Sequence, residues 1–182
     1  MVYVKKEIFM TNQSNEAGDY HPNSQQLPTS ITLTAVTNGD IIPIESVPDT
    51  LFSQKMIGNG FAMMPTSDVV YAPVSGRLVE ISDTKHAYYI ETKEHIKVLI
   101  HIGIDTVLMN GEGFSTSVHR HMYIKEGQEL ARFDRQIILD KGFKPVIPVI
   151  VFDHQAIKSM EVLPAKQAIA GETPALILTI VQ

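Results

Sequence analysis

The sequence contains no cysteine. Disulfide scaffolds, thiolate zinc sites, iron–sulfur clusters and cysteine nucleophiles are therefore excluded, and the composition fits a reducing cytoplasm. With 182 residues the chain is long enough to bury a core without such cross-links. The side chains left to carry chemistry are the seven histidines, the acids and the hydroxyls.

A basic excess and a long apolar run are also missing. Lys and Arg number 15 against 20 acids, which gives a net charge of −5 and argues against a nucleic-acid or anionic-membrane binder. The longest apolar run, residues 145–152, is too short to cross a bilayer. The first residues show no apolar core of a secretion signal. We expect a cytoplasmic protein with no direct membrane insertion.

The N-terminal part of the sequence differs in texture from the rest. Between residues 11 and 30 only Ala17, Tyr20 and Leu27 could join a core. So little apolar surface cannot offset the entropy lost on ordering. We predict a disordered leader over residues 1–30, followed by one domain over residues 31–182.

Short β-branched runs between Gly and Pro turns dominate the sequence after residue 30. This pattern predicts an all-β fold, an antiparallel sandwich or barrel-like structure. Strands are predicted over residues 31–35, 40–44, 61–64, 76–82, 88–92, 98–102, 129–133, 146–152 and 175–181. One short helix is predicted over residues 134–141, with Asp134 as its N-cap and Gly142 as its stop, and a second over residues 47–52.

His101 is the single ionisable group inside the apolar strand 98–102. Strand alternation places Leu99 and His101 on one face and Ile100 and Ile102 on the other. Burying an imidazole costs free energy unless the ring is hydrogen-bonded or used in chemistry. His101 is therefore a candidate functional residue, with a hydrogen-bonded core histidine as the alternative.

His86 opens the preceding strand. A short polar turn near Glu94 and His95 predicts an antiparallel hairpin, which would bring His86 opposite or close to His101. Two facing histidines indicate either part of a metal site or an apparatus for proton and phosphoryl transfer. Thr84, two residues before His86, could fix the tautomer of that imidazole.

His119 and His121 form a second histidine pair, on alternate positions. Alone, the pair could supply two ligands of a zinc site. Its polar surroundings favour a solvent-facing loop instead.

From Gly39 to the C-terminus the sequence resembles a known family, the glucose-class enzyme IIA component of the bacterial phosphoenolpyruvate-dependent sugar phosphotransferase system. The most diagnostic match is Leu-Ile-His-Ile-Gly-Ile-Asp-Thr-Val at residues 99–107, followed by Asn-Gly-Glu-Gly-Phe at 110–114. Further matching stretches lie at residues 47–60, 71–76, 84–87, 125–128, 145–149 and 170–174.

The resemblance implies an antiparallel β-sandwich that accepts a phosphoryl group from the phosphocarrier HPr. It would then pass this group to a cysteine of an enzyme IIB domain in a sugar permease. His101 matches the phosphorylated histidine, His86 the second active-site histidine, and Thr84 the hydroxyl that positions the pair.

The same resemblance implies a docking surface for these partners. Asp49 and Asp105 match acids at the rim of the site, where a basic partner docks. We expect an exposed apolar patch around the site, and its members are Phe52, Met56, Ile57 and Val107. No cofactor is required by this function. In some members the paired histidines share a zinc ion with a regulated partner, so His86 and His101 are also possible zinc ligands.

Two alternative functions remain on the sequence alone. Lysostaphin-type zinc endopeptidases share this fold and use an H-x-H pair, which His119 and His121 could supply, with His101 and Asp105 as the upstream His and Asp. A biotinyl or lipoyl carrier module is suggested by residues 72–76 and 118–130, although no modification lysine lies between them in the expected context.

Overall fold

Antiparallel β-strands form the framework of the protein in the computed structural model, which describes residues 29–181. The strands are β1 (Thr29–Thr34), β2 (Gly39–Pro43), β3 (Asn59–Pro65), β4 (Val69–Tyr71), β5 (Gly76–Ile81), β6 (Ala87–Glu91), β7 (Lys97–His101), β8 (Phe114–Ser115), β9 (Tyr123–Ile124), β10 (Glu129–Phe133), β11 (Ile147–Val151), β12 (Ile157–Val162), β13 (Ala165–Ala168) and β14 (Pro174–Ile180). Every strand pairing within the described residues is antiparallel. The predicted all-β sandwich with short helices is confirmed.

One large sheet and two small sheets contain these strands. The large sheet has eight strands in the order β13-β2-β3-β11-β7-β6-β5-β9, and the three-stranded sheets run β1-β14-β12 and β4-β10-β8. Strand β7 lies between β11 and β6 near the middle of the large sheet. Residues 98–100 of β7 pair on both sides, and His101 at its end pairs with Ala87 of β6.

All nine predicted strands are present, and five further strands were missed. The missed strands are β4, β8, β9, β12 and β13. Four of these have four residues or fewer, too few to show a period of two. Strand β12 is longer but lies at a sheet edge, and its sequence mixes charged and apolar residues without regular alternation.

The predicted leader over residues 1–30 lies outside the described residues, except for its last two positions. Thr29 and Ser30 belong to β1, where Thr29 pairs with Ile180 of β14. Strand pairing therefore begins two residues before the predicted domain boundary.

Two short α-helices occur among the described residues, α1 (Thr50–Ser53) and α2 (Arg135–Asp140). In α2 the Asp134 carboxylate accepts a hydrogen bond from the Ile137 N–H at 2.9 Å, and Gly142 follows with φ +82°, so the predicted cap and stop are confirmed. Within residues 29–181 no helix is long and apolar enough to span a membrane.

Two apolar clusters lie on opposite faces of β7. Ile100 and Ile102 belong to the larger cluster, which forms the main core of the domain. Leu99 points to the other face and joins a second cluster with Ile44, Val47, Phe52, Ala62, Ala87, Ile104, Val146 and Ile150. The predicted alternation along β7 is confirmed, and it places His101 at the border of this second cluster.

Candidate functional site

The imidazole rings of His86 and His101 lie next to each other at one end of the hairpin formed by β6 and β7. Their centroids are 4.8 Å apart and the ring planes meet at 76°. The register places Ala87 opposite His101, and the Ile102 N–H donates to the His86 carbonyl at 2.7 Å. The predicted proximity of the two histidines is therefore confirmed.

His101 has a defined tautomer. Its Nδ1 lies 2.8 Å from the Gly103 carbonyl oxygen. A carbonyl oxygen can only accept a hydrogen bond, so Nδ1 carries the proton and Nε2 keeps its lone pair. The His101 side chain is half-buried. The result is an imidazole whose Nε2 is available as a nucleophile.

The Gly103 carbonyl is itself fixed by the chain that follows β7. The Gly103 N–H donates to the Val146 carbonyl at 3.1 Å, and the Ile104 N–H donates to the Lys144 carbonyl at 2.8 Å. Gly103 has φ +79°, and a Cβ here would overlap the Thr106 methyl group. Glycine is therefore required at this position by both backbone conformation and space.

His86 is 7% exposed and meets two hydroxyl groups. Its Nδ1 lies 2.6 Å from Thr84 Oγ1 and 3.2 Å from Ser82 Oγ. The predicted contact with Thr84 is confirmed. The Ser82 contact is not predictable from the sequence, because it depends on a tight turn over residues 82–87 rather than on a spacing rule.

Burial makes both imidazoles harder to protonate. It lowers the pKa of His86 from 6.5 to about 4, with a smaller contribution from neighbouring His101. Burial also lowers the pKa of His101, although the hydrogen bond to Gly103 and the charge of Asp49 act in the opposite direction. The site therefore presents two neutral imidazoles at neutral pH.

Helix α1 closes one side of the site. The Asp49 carboxylate accepts hydrogen bonds from the Leu51 N–H at 2.8 Å and the Phe52 N–H at 3.2 Å, which fixes the start of α1 at Thr50. The short helix predicted over residues 47–52 therefore begins three residues later than predicted. Asp49 thus holds the element that carries Phe52.

The expected exposed patch is confirmed only in part. The side chains of Met56 and Val107 are 67% and 49% exposed, and Ile57 is half-buried. Phe52 is only 4% exposed, so the expectation that it lies on the surface is wrong. Phe52 lies on the side of α1 that faces the protein interior, so its ring packs into the second cluster. The centroid of this ring lies 5.2 Å from that of His101.

Two further exposed apolar side chains, which were not predicted, lie on helix α1 and on the 3₁₀ turn that contains Val107. Leu51 lies on α1 and is 42% exposed, and Leu108 lies on the 3₁₀ turn Thr106–Met109 and is 67% exposed. We call Leu51, Met56, Val107 and Leu108 the apolar rim. Exposed Asp105 immediately precedes the 3₁₀ turn and makes no side-chain capping hydrogen bond to it.

His119 and His121 are both exposed and lie in the turn before β9, as the solvent-facing interpretation predicted. Within residues 29–181 no group of three or more His, Asp or Glu side chains is arranged to hold a metal ion. His101, Asp105, His119 and His121 are all described, so they do not form the metal site of the endopeptidase alternative. His86 and His101 together offer at most two Nε2 ligands.

These observations define a class of protein: an antiparallel β-sandwich with a pair of neighbouring histidines, one of which packs against the short helix α1. Residues 31–157 match the family model described as "phosphoenolpyruvate-dependent sugar phosphotransferase system, EIIA 1". The chain belongs to this family, which has a phosphocarrier role in sugar uptake. The resemblance found in the sequence is confirmed, and the endopeptidase and biotinyl or lipoyl alternatives are not supported.

Individual relatives agree with this assignment. The chain is 39% identical to a "PTS system glucose-specific EIIA component" of Halalkalibacterium halodurans, covering 83% of this chain and 87% of that protein. It is 32% identical to a "PTS system N-acetylglucosamine-specific EIICBA component" of Klebsiella pneumoniae, covering 79% of this chain and 22% of that protein. The solved glucose permease IIA of Mycoplasma capricolum superposes with a TM-score of 0.77 at 33% identity, covering 81% of this chain and 96% of that one.

Proposed function

We propose that this chain accepts a phosphoryl group from phospho-HPr on Nε2 of His101 and passes it to a cysteine of an enzyme IIB domain. The observation that carries this proposal is the hydrogen bond from His101 Nδ1 to the Gly103 carbonyl at 2.8 Å. It leaves Nε2 as the nitrogen with a free lone pair. Family membership supports the reaction class, and this geometry supports Nε2 as the acceptor atom.

In the first transfer, the His101 Nε2 lone pair forms a bond to phosphorus. The bond between phosphorus and the donor group of phospho-HPr breaks, and its electrons stay with that donor. Phosphoryl transfer passes through a loose transition state, so the protein contributes mainly position and charge stabilisation. The His101 Nδ1–H stays in place and gains positive character, which strengthens its bond to the Gly103 carbonyl.

His86 acts as a hydrogen-bond donor rather than as the acceptor of phosphate. With its Nδ1 facing Thr84 and Ser82, its Nε2–H is the group available to the phosphoryl oxygens. Because burial lowers the pKa of His86 to about 4, the ring donates as a neutral imidazole at neutral pH. A preorganised donor of this kind stabilises the negative charge that the phosphoryl oxygens carry.

The surroundings of the histidines suit docking of a partner protein. The apolar rim exposes large side chains on two segments beside the site, and exposed apolar patches mark protein interfaces. Asp49 and Asp105 and the net charge of −5 favour a partner with a basic surface. An apolar contact also excludes water, which would hydrolyse the phosphohistidine.

The onward acceptor follows from the same family. In Klebsiella pneumoniae the similar segment is part of a protein named an EIICBA component, which supports a IIB domain as the acceptor for this chain. We propose that His101-bound phosphate is attacked by a IIB cysteine thiolate, with the His101 Nε2–P bond breaking as the S–P bond forms. We also propose that this chain acts in the cytoplasm, as expected from the sequence.

We also propose that this transfer needs no metal or other cofactor. Zinc would need a bare Nε2 on both His86 and His101, whereas His86 carries its proton on Nε2 in this proposal, and the remaining ligands would have to come from another molecule. Transfer from phospho-HPr should therefore proceed at the same rate with and without a strong chelator. A large loss of rate in chelator, restored by zinc, would contradict this proposal.

The central experiment is incubation of the full chain with phosphoenolpyruvate, enzyme I and HPr, followed by mapping of acid-labile phosphate. Wild-type protein should carry the phosphate on His101, and His101→Ala should carry none. His119→Ala is the matched control, because it removes an exposed histidine outside the site and should be labelled normally. Labelling of His101→Ala at the wild-type rate would overturn the proposal.

A further inference from the structure

Ser82 closes the turn that carries His86. Its Oγ accepts hydrogen bonds from the His86 N–H at 3.1 Å and the Ala87 N–H at 3.0 Å. Its backbone N–H donates to the Ala87 carbonyl at 2.9 Å, and its carbonyl accepts from the Lys85 N–H at 2.9 Å. The Ser82 side chain is therefore fixed at the edge of the His86 imidazole.

These contacts restrict what the Ser82 hydroxyl can do. A hydroxyl oxygen has two lone pairs and one proton. Both lone pairs of Ser82 Oγ are occupied by backbone N–H groups. Toward the third neighbour, Nδ1 of His86 at 3.2 Å, Ser82 can therefore only donate.

The hydrogen bond between Thr84 and His86 does not fix the tautomer of His86. Its hydroxyl lies 2.6 Å from His86 Nδ1, but a hydroxyl can donate to a bare nitrogen or accept from an N–H equally well. Thr84 is therefore compatible with both neutral tautomers of His86. Ser82 is compatible only with a bare Nδ1, because a proton on Nδ1 would meet the proton of the Ser82 hydroxyl.

We infer that Ser82 is a positioning residue that holds His86 in the tautomer with its proton on Nε2. The use of that proton, as a donor to the phosphoryl group on His101, rests on the proposed function. The tautomer itself does not depend on it. Ser82 thus selects the tautomer, and Thr84 strengthens whichever tautomer is present.

The test is the ¹⁵N NMR spectrum of the two ring nitrogens of His86, recorded at neutral pH on the full chain with labelled histidine. Wild-type protein should show the proton on Nε2. Thr84→Val, which keeps the side-chain shape, should show the same tautomer because Ser82 still donates. In Ser82→Ala the ratio of Nδ1–H to Nε2–H should rise roughly two- to tenfold, the effect of one neutral hydrogen bond, and Ser82→Thr should restore the wild-type ratio.

Two outcomes would overturn the inference. One is a Ser82→Ala protein with the wild-type tautomer ratio. The other is a Thr84→Val protein with a raised Nδ1–H population, and this result decides the question even if Ser82→Ala fails to fold. Because the readout is a tautomer ratio, a purely structural role of Ser82 in the turn would not move it in folded protein. Absence of phosphate on His101 in the wild type would instead overturn the proposed function and leave the tautomer result standing.

Discussion

The ring of Phe52 packs against the imidazole of His101, with centroids 5.2 Å apart and planes tilted by 57°. Phe52 is 4% exposed and belongs to the second apolar cluster. The contact limits rotation of His101 from one side, and the hydrogen bond to Gly103 fixes it from the other. Phe52 therefore connects the hydrophobic packing of the domain to the orientation of the candidate nucleophile.

Substitution of Phe52 should destabilise the protein as well as slow transfer. Phe52→Ala should lower the free energy of unfolding by about 3 to 5 kcal/mol, typical for loss of a buried aromatic ring. Phe52→Asp should lower it further, because it also buries an unpaired charge. Urea unfolding measures this effect. A Phe52→Asp protein of wild-type stability would contradict the buried position.

Met56→Asp is the matched control on the apolar rim. Met56 is 67% exposed, so the free energy of unfolding of the Met56→Asp protein should stay within about 0.5 kcal/mol of the wild-type value. Its KM for phospho-HPr should nevertheless rise, because a charge replaces an apolar contact in the docking surface. An unchanged KM would remove Met56 from that surface.

The pairing of His86 with His101 could be predicted because it depends on local rules. A polar turn joins two apolar runs, strand alternation fixes the face of each residue, and an antiparallel register then brings the two rings together. The family motifs further predicted roles for both residues and for Thr84. These features need no knowledge of long-range packing.

The burial of Phe52 and the contact of Ser82 could not be predicted in this way. Which side of α1 faces inward is decided by the cap at Asp49 and by cluster residues distant in sequence. The Ser82 contact exists because a turn brings its hydroxyl onto N–H groups four and five residues later. Both features depend on the folded conformation of the chain, and no residue pattern in the sequence predicts them.

Gly103→Ala should perturb both stability and transfer. Besides the positive φ, the new Cβ would overlap the methyl group of Thr106. Thr106 is fully buried and donates its hydroxyl proton to the Ile102 carbonyl at 2.5 Å, so it cannot rotate away freely. We expect the 103 carbonyl to shift away from His101 Nδ1, with a loss of transfer rate up to about tenfold, the effect of one hydrogen bond.

Gly142→Ala is the control for the backbone conformation. Gly142 has φ +82°, close to that of Gly103, but a Cβ there meets no atom within 4 Å. It should lower the free energy of unfolding by about 1 to 2 kcal/mol, the cost of left-handed backbone for a residue with a Cβ, and leave transfer unchanged. Gly103→Ala should cost about 1 to 3 kcal/mol more because of the crowding. Equal effects of the two variants would contradict a special role of Gly103.

The low pKa of His86 predicts a loss of stability in acid. The unfolded chain protonates this histidine as the pH falls below 6.5, whereas the folded protein does so only near 4. Between these values the unfolded state binds more protons, so the free energy of unfolding falls as the pH falls. The stability contributed by neutral His86 is complete above pH 6.5 and is lost as the pH falls toward 4. The contribution is at most about 3 kcal/mol, and less where solvent reaches the ring.

Urea unfolding as a function of pH measures this contribution. His86→Gln should show a shallower loss of stability between pH 6.5 and 4 than the wild type. The residual slope should include the share of His101, whose pKa is also lowered by burial. His119→Gln, an exposed control, should follow the wild-type curve. A wild-type slope in His86→Gln would show that His86 is protonated equally in both states.

The division of roles between the histidines predicts how variants of His86 should behave in transfer. Removal of one preorganised donor to a developing negative charge costs about two to three decades in rate. His86→Ala should therefore slow transfer from phospho-HPr and onward to enzyme IIB by this amount, while phosphate still appears on His101 after long incubation. His86→Gln should keep more of the rate, because its amide can donate to the phosphoryl oxygens without a titrating proton. Rapid-quench labelling and mapping of the phosphate distinguish these results. Phosphate found on His86 in the wild type, or wild-type rates in both variants, would show that His86 has a different role.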